Sequence, residues 1–179
     1  MLQQTPAKTL VLGVGNLLMS DDGVGLRVLE RLVTSYRVSE EVQVLDGGTL
    51  GLDLLFYLEG VTNLLLVDAV EAHQSPGATV RLEGEQVPAF LTLKVSPHQI
   101  GVSDMLFAAK LKDVFPKNLV LWGIQPERIE VGLELSPAML EKIDFLVEKV
   151  IEQLQVWGHQ VEPKTQRDSH SERSEESPH

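Results

Sequence analysis

The chain has 179 residues, a hydrophobic fraction of 43%, no cysteine and a formal net charge of −11. This length suits a single domain, and the lack of cysteine excludes disulfides, thiolate metal sites and a cysteine nucleophile. So acidic a chain repels nucleic acid and anionic membranes, so we expect it to bind neither. No apolar run approaches the roughly 18 residues of a membrane-spanning helix, so we expect no such helix.

Strand and helix patterns alternate along the first seventy residues. The short apolar run 9-TLVLGVG-15 predicts a buried strand, and residues 22–36 predict a helix because apolar side chains recur there at helical spacing. A second strand is predicted at 42–48 and a short helix at 51–60. The third strand, at 63–70, is apolar throughout, as expected of a strand covered on both faces.

The second half of the chain continues the alternation. Residues 78–85 predict a strand with one solvent-exposed face, which lies antiparallel at the edge of the sheet, and residues 86–97 predict a loop. Ser96 is predicted to cap a helix that ends near residue 113, and residues 118–126 predict another strand. Ser136 then caps a long helix whose apolar face is predicted to include Leu140, Ile143, Leu146, Val147, Val150, Ile151 and Leu154.

This order of elements predicts an α/β fold with three layers. A twisted, mostly parallel sheet should carry helices on both faces, with one antiparallel edge strand. Residues 1–157 are predicted to form this single domain, and the polar, serine-rich residues 158–179 a disordered tail without chemistry. The first residues lack the basic and apolar regions of a signal peptide, so we expect a cytoplasmic protein.

Acidic side chains follow three of the predicted strands. Asp21 and Asp22 come after the first strand, Asp46 ends the second and Asp68 ends the third, while His98 opens the helix after the long loop. Since the carboxyl ends of parallel strands meet at one edge of a sheet, we expect these side chains to cluster there.

Each of these residues also has a purely structural interpretation. Asp22 would gain about 0.3–1 kcal/mol from the dipole of the helix it starts, and Asp21 suits a cap or a turn. Asp68 could be a turn residue, and His98 could be satisfied by a neighbour at the start of its helix. Only His98 and His73, of five histidines, lie within the predicted domain. Two carboxylates and one imidazole nevertheless make a suitable site for a divalent ion such as zinc or nickel.

The glycines of 13-GVGNLL-18 raise the alternative of a nucleotide-binding, Rossmann-like domain. The segment lacks the third glycine of that fingerprint, because Leu18 stands in its place, and the acids at 21 and 22 would repel a pyrophosphate. We therefore expect Gly15 and Asn16 to form a tight turn that needs a positive φ. A serine hydrolase is disfavoured because the chain has no G-x-S-x-G segment.

Several separated segments together resemble the hydrogenase maturation protease family, over roughly residues 9–157. The matching segments are GVGNLLMSDDGVG at 13–25, LDGGTLGLDLL at 45–55, VDAV at 67–70, SPHQIG at 96–101 and WGIQPE at 122–127. The resemblance implies an endopeptidase that removes the C-terminal extension of a nickel–iron hydrogenase large-subunit precursor after nickel insertion. Its partner would be that precursor, and we expect the enzyme to be a monomer.

The resemblance also implies roles for individual residues. The family's metal-contacting and catalytic positions fall on Asp22, Asp68 and His98, and the metal is expected to be nickel, which the substrate itself can supply. Nickel would then be the recognition signal that leaves an empty precursor uncut. The resemblance further implies that Asp46, Gly47 and Gly48 help to recognise the substrate. The two glycines would let the backbone of another chain approach closely.

A second class of function uses the same ligands. A non-catalytic, nickel-dependent checkpoint or chaperone could bind the precursor and leave the cut to another protein. A mixture of the chain with nickel-loaded precursor separates the two, because only the endopeptidase would shorten the precursor.

Overall fold

The computed structural model describes residues 8–48, 50–91 and 97–165, with the backbone alone for 97–100. The strands in this part of the chain are Thr9–Val14 (β1), Tyr36–Val38 (β2), Val42–Gly48 (β3), Asn63–Ala69 (β4), Thr79–Glu83 (β5), Asn118–Ile124 (β6) and Val161–Pro163 (β7). The α-helices are Val24–Ser35 (α1), Gln86–Leu91 (α2), Pro97–Leu111 (α3), Pro137–Leu140 (α4) and Ile143–Val156 (α5). Two 3₁₀ helices span Ser20–Gly23 and Gly51–Leu58. Within these ranges no helix combines the length and the apolar character needed to cross a bilayer.

A five-stranded sheet in the order β3-β1-β4-β6-β5 forms the middle layer. The first four of these strands are parallel, and β5 pairs antiparallel with β6 at the edge. The mostly parallel sheet with one antiparallel edge strand is therefore confirmed. Its register aligns the first residues of three strands, which are Thr9, Asn63 and Asn118.

Helices cover both faces of the sheet, so the predicted three layers are confirmed. On one face, α1 and α5 pack against strand residues that include Val11, Leu65, Val67 and Val120. On the other face, the 3₁₀ helix Gly51–Leu58, α2 and α3 pack against strand residues that include Leu10, Leu12, Leu64 and Leu66. Since successive strand side chains point to opposite faces, the continuous apolar run of β4 supplies both cores.

The helical predictions need two corrections. The long helix predicted after Ser136 is divided into α4 and α5, and Leu140, which was expected on the apolar face, is 59% exposed. The break lies at Glu141 and Lys142, where the backbone forms a turn between the two helices. The segment predicted as a loop at 86–97 contains α2, whose side chains Val87 and Leu91 are buried against the sheet.

The predicted boundary of the disordered tail at 158 is also wrong. Strand β7 pairs antiparallel with β2, a second strand that the sequence analysis missed, and Lys164 N–H donates to the carbonyl of Ser35. His159, assigned to the tail, is only 4% exposed. The folded chain thus extends to at least Thr165, and residues 166–179 lie outside the described part, where the disorder of the tail stays a prediction.

Candidate active site

The predicted site lies where the adjacent strands β1 and β4 end side by side. The two strands are parallel, so their carboxyl ends meet at one edge of the sheet. The chain leaves β1 for α1 on one face, whereas the helices that follow β4 lie on the other face. Diverging connections open a crevice outside the strand ends, which is where open α/β sheets bind ligands. We call this region, next to Val14 and Ala69, the carboxyl-edge crevice.

A tight turn after β1 places Asp22 at this crevice. Asp22 belongs to the 3₁₀ helix Ser20–Gly23, is 5% exposed, and accepts the N–H of Asn16 at its Oδ2 over 3.0 Å. Gly15 has a φ of 129°, and a Cβ at this position would lie 1.9 Å from the carbonyl oxygen of Asp22. The predicted positive φ is therefore confirmed at Gly15, where the space that a side chain would need is filled by the backbone of Asp22.

A second close contact brings Asp22 near Asp68. A Cβ on Gly25, in the first turn of α1, would lie 2.2 Å from the carbonyl oxygen of Val67 and 2.8 Å from that of Val14. The start of α1 therefore packs directly on the ends of β4 and β1. Asp22 precedes Gly25 by three residues, and Asp68 follows Val67, so the two acids lie around the same contact. Asp68 is 2% exposed, in a strand whose residues are all buried.

The backbone of His98 lies near the same edge of the sheet. It lies in the first turn of α3, and a Cβ on Gly101 would be 2.6 Å from the Cα of Gly51, which follows the carboxyl end of β3. The rise of about 1.5 Å per residue puts His98 roughly 4.5 Å along the helix from this contact. Helix α3 packs on the face opposite to α1, so its first turn approaches the crevice from the other side.

The three-ligand metal site stays a prediction. The described side chains contain no group of three histidines, cysteines or acids that could hold a metal ion. The side chain of His98 lies outside the described residues, so the set formed by Asp22, Asp68 and His98 is not part of that search. His73, the other histidine of the predicted domain, has a side chain that is 86% exposed beside Glu71.

The predicted substrate-recognition segment lies at the carboxyl end of β3. Asp46 is exposed and pairs in register with Gly13 of β1. A Cβ on Gly47 would lie 2.7 Å from Cδ1 of Leu12 and 2.9 Å from the carbonyl of Gly13, so β1 itself requires this glycine. Gly48 has a φ of 40°, which fits a turn. A role of Asp46, Gly47 and Gly48 in substrate binding stays a prediction.

Asp21 has a role that the sequence analysis did not identify. It was expected to be a cap or a turn former, but its side chain is fully buried and accepts four hydrogen bonds from a distant segment. Oδ1 accepts the N–H of Ser136 at 2.7 Å, and Oδ2 accepts the Ser136 hydroxyl at 2.8 Å. Oδ2 also accepts the N–H groups of Glu127 and Arg128 at 2.9 and 3.0 Å. Burial raises the pKa of Asp21, but these hydrogen bonds outweigh burial and hold the pKa below its ordinary value of 3.8.

The segment that binds Asp21 follows β6, the strand that pairs with β4. Residues 127–136 also contact the residues before Asp21, because the Ser20 N–H donates to the Gly132 carbonyl at 2.8 Å and the Gly132 N–H donates to the Leu18 carbonyl at 2.9 Å. No local sequence signal predicts these contacts, since the partners of Asp21 lie 106 to 115 residues further along the chain. We call these residues the 127–136 segment.

Comparison with known families gives one family for this chain. A model of the hydrogenase maturation protease family matches residues 26–153, which is more than half of the sequence. The match begins just after the turn that carries Asp22 and includes Asp68 and His98.

Curated relatives match over a longer range. The hydrogenase 2 maturation protease of Escherichia coli (strain K12) is 38% identical over 158 residues, which cover 88% of this chain and 96% of the relative. The hydrogenase expression/formation protein HupD of Rhodobacter capsulatus is 39% identical over 158 residues, covering 87% of this chain and 75% of the relative.

Solved structures have the same fold. The hydrogenase maturating endopeptidase HybD from E. coli superimposes with a TM-score of 0.85 at 39% identity, covering 88% of this chain and 98% of that one. A [NiFe] hydrogenase maturation protease HybD from Thermococcus kodakarensis gives a TM-score of 0.68 at 28% identity, covering 82% and 98%.

Proposed function

The chain belongs to the hydrogenase maturation protease family and is an endopeptidase, and we propose that it removes the C-terminal extension of a nickel–iron hydrogenase large-subunit precursor after nickel insertion. The observation that supports this most is the contact of Gly25 with the ends of β1 and β4, which brings the backbones of Asp22 and Asp68 together at the crevice.

We propose that Asp22, Asp68 and His98 hold the precursor's nickel, which makes the metal a part of the substrate. Two carboxylates and a neutral imidazole balance the charge of a divalent ion and suit its ligand preferences. The N–H of Asn16 orients the Asp22 carboxylate, as outer-shell hydrogen bonds orient metal ligands. A divalent ion supplies Lewis-acid polarisation of a carbonyl or an activated water.

These three residues would therefore act as both recognition and catalytic groups. Asp22 and Asp68 would approach the nickel centre from the sheet edge, and His98 from the first turn of α3. Nickel is then required for a productive complex, so an empty precursor is left uncut. Because His98 must be neutral to bind a metal, processing should slow in mildly acidic solution.

Two alternatives receive less support. A non-catalytic checkpoint would have lost the protease activity of its family, and no feature of the described residues favours such a loss. A nucleotide-binding loop conflicts with the contact between Gly15 and Asp22, because the backbone of Asp22 occupies the space beside the glycine. The net charge of −11 further supports a protein that binds neither nucleic acid nor anionic membrane, and we propose that it acts as a monomer in the cytoplasm.

The test is a purified mixture of the chain with precursor that is either loaded with nickel or empty. We expect mass spectrometry to find a shortened large subunit only in the nickel-loaded sample. Equal cleavage of both samples would contradict nickel recognition. Stable association without shortening would instead support the checkpoint, and thermal stabilisation by NAD or ATP would support nucleotide binding.

A further inference from the structure

Asp21 is a buried carboxylate that the proposed mechanism does not use. Its side chain is completely inaccessible, yet every hydrogen bond it accepts comes from the 127–136 segment rather than from its own turn. Desolvating a carboxylate is costly unless hydrogen bonds replace water. The four bonds meet this requirement, and they join the turn that follows β1 to the segment that follows β6.

The turn beside Asp21 is held in an unfavourable backbone conformation. Ser20 has a φ of 47°, in the left-handed region that residues other than glycine rarely adopt. Its hydroxyl donates to the carbonyl of Arg128 at 3.1 Å and accepts the N–H of Glu130 at 3.1 Å. Strain of this kind persists only where the surroundings enforce it, and it is concentrated at functional sites. Here the enforcing contacts all come from the 127–136 segment.

Asp22 follows this strained turn directly. Its own N–H donates to the carbonyl of Met19 at 3.1 Å, and its carboxylate accepts the N–H of Asn16. The position of the Asp22 carboxylate therefore depends on a turn that would relax if the 127–136 segment moved away.

We propose that Asp21 is a positioning residue, which holds the strained turn and with it the carboxylate of Asp22 in the geometry that the cleavage reaction needs. The proposal rests on the proposed function, since it assigns Asp21 a part in the same reaction. Asp21 contacts neither metal nor substrate in this account. It acts through the backbone between itself and Asp22.

Asparagine at this position separates hydrogen bonding from packing. It has nearly the shape of aspartate, but an NH₂ group replaces one acceptor oxygen. All four groups that bond to Asp21 donate their hydrogen. If the NH₂ group of asparagine takes the place of Oδ2, it faces three of these donors, and if it takes the place of Oδ1, it faces the N–H of Ser136. In either orientation Asp21→Asn loses at least one hydrogen bond without creating a cavity.

The experiment measures precursor cleavage and amide hydrogen exchange in the full chain. We expect Asp21→Asn to lower kcat by about 10–100-fold, the usual effect of removing a group that orients a ligand. We also expect the amide of Asn16 to lose protection, because its acceptor is the Asp22 carboxylate. Asp21→Asn with wild-type kcat and a protected Asn16 amide would overturn the proposal.

The control is Val150→Ala, which weakens the core between α5 and the sheet. At a temperature where both variants are folded, it should keep the wild-type kcat and Asn16 protection, whereas a purely structural role of Asp21 would make the two variants alike. If Asp21→Asn does not fold, Ser136→Ala takes its place, because it removes only the hydroxyl bond. Ser136→Ala should then show a smaller loss of kcat and of Asn16 protection, and wild-type values for both would contradict the proposal.

The two hypotheses fail in different ways. If the wild-type chain leaves nickel-loaded precursor uncut, the proposed function is wrong, and hydrogen exchange alone decides whether Asp21 fixes Asp22. If the wild-type chain cuts and both Asp21→Asn and Ser136→Ala cut equally well, only the positioning role is wrong.

Discussion

The two edges of the central sheet both carry hydrogen-bonded polar side chains, most of them buried, but the partners of these side chains differ. At the amino edge, the side chains of Asn118, Asn63 and Thr9 form a chain of hydrogen bonds along the first residues of β6, β4 and β1. At the carboxyl edge, Asp21 and Asp22 accept hydrogen bonds mainly from backbone N–H groups.

The amino-edge ladder consists of neutral groups that satisfy one another. Asn118 Nδ2 donates to Asn63 Oδ1 at 2.7 Å, and Asn63 Nδ2 donates to Thr9 Oγ1 at 2.8 Å. The hydroxyl of Thr9 lies 2.7 Å from Nε2 of His159, which closes the ladder. We call these four residues the amino-edge ladder.

Burial of polar groups does not by itself identify a functional site. The ladder is made of neutral side chains, and its hydrogen bonds run from one strand to the next, so its effect is on stability. The crevice gathers carboxylates, whose charge suits a cation and whose positions are fixed by a strained turn and close glycine contacts. The predictions below separate the two effects, because crevice variants should lose activity and ladder variants should lose stability.

The largest expected effect is the loss of cleavage when a proposed ligand is removed. Asp22→Ala, Asp68→Ala and His98→Ala should each lower kcat by about 10²–10³-fold or more, the scale seen when a group that stabilises developing charge is lost. Cleavage of nickel-loaded precursor, followed by mass spectrometry, measures this loss. Asp144→Ala on α5, which removes only an exposed ion pair with Arg31, should keep full activity. Wild-type cleavage by one of the three ligand variants would contradict the role given to that residue.

The next effect concerns the glycine that adjoins Asp22. Gly15→Ala places a Cβ 1.9 Å from the carbonyl of Asp22, so it should displace that residue and reduce cleavage severely. The matched control is Gly84→Ala, since Gly84 also has a positive φ, of 56°, but nothing lies within 4 Å of an added Cβ. That control should lose only about 1 kcal/mol of stability, from the backbone conformation. Equal cleavage by both variants would refute the role given to the contact at Gly15.

A smaller effect, on stability alone, is expected at the amino edge. Asn63→Ala removes a buried side chain that bonds to both Thr9 and Asn118, whereas Thr9 keeps its contact with His159 and Asn118 is exposed to water. We expect the free energy of unfolding to fall by about 1–3 kcal/mol, as for two lost hydrogen bonds of about 0.5–1.5 kcal/mol each, with unchanged kcat in the folded fraction. Urea titration gives the first quantity and cleavage the second. A folded Asn63→Ala variant without activity would argue against the division between the edges.

The smallest effect is a pH dependence that comes from His159. Burial lowers the pKa of His159 below 6.5, and Glu41 opposes this without cancelling it. Below about pH 6.5 the unfolded chain therefore takes up a proton that the folded chain does not, so stability falls as pH falls and levels off below the folded pKa. Urea titrations between pH 5 and 8, roughly the range in which histidine titrates, measure this slope. His159→Gln should show a shallower slope, and an identical slope would contradict the assignment.

Much of the fold could be predicted because its signals are local. The strands of the main sheet are short apolar runs, and the edge strand β5 is distinguished by its solvent-exposed face. The split between α4 and α5 was missed because Leu140 continues the helical apolar period although its side chain is exposed. Strands β2 and β7 have only three residues each, too few for a pattern, so the tail boundary was placed too early.

The site could be predicted only in part. Asp22 and Asp68 could be assigned to one edge of the sheet because they follow strands, whose carboxyl ends meet in any parallel sheet. Asp21 was assigned to its own turn because nothing in a single sequence links it to Ser136, 115 residues away. Its function depends on tertiary contacts, and these appear only once the chain is folded.

The most direct test of the account is a crystal structure of the chain soaked with nickel, with anomalous scattering recorded at the nickel edge. We predict one anomalous peak at the carboxyl-edge crevice, about 2.0–2.2 Å from Asp22 and Asp68 oxygens and a His98 ring nitrogen. A structure that separates these three groups by more than about 10 Å, too far for ligands that each bind at about 2 Å, would contradict the central claim.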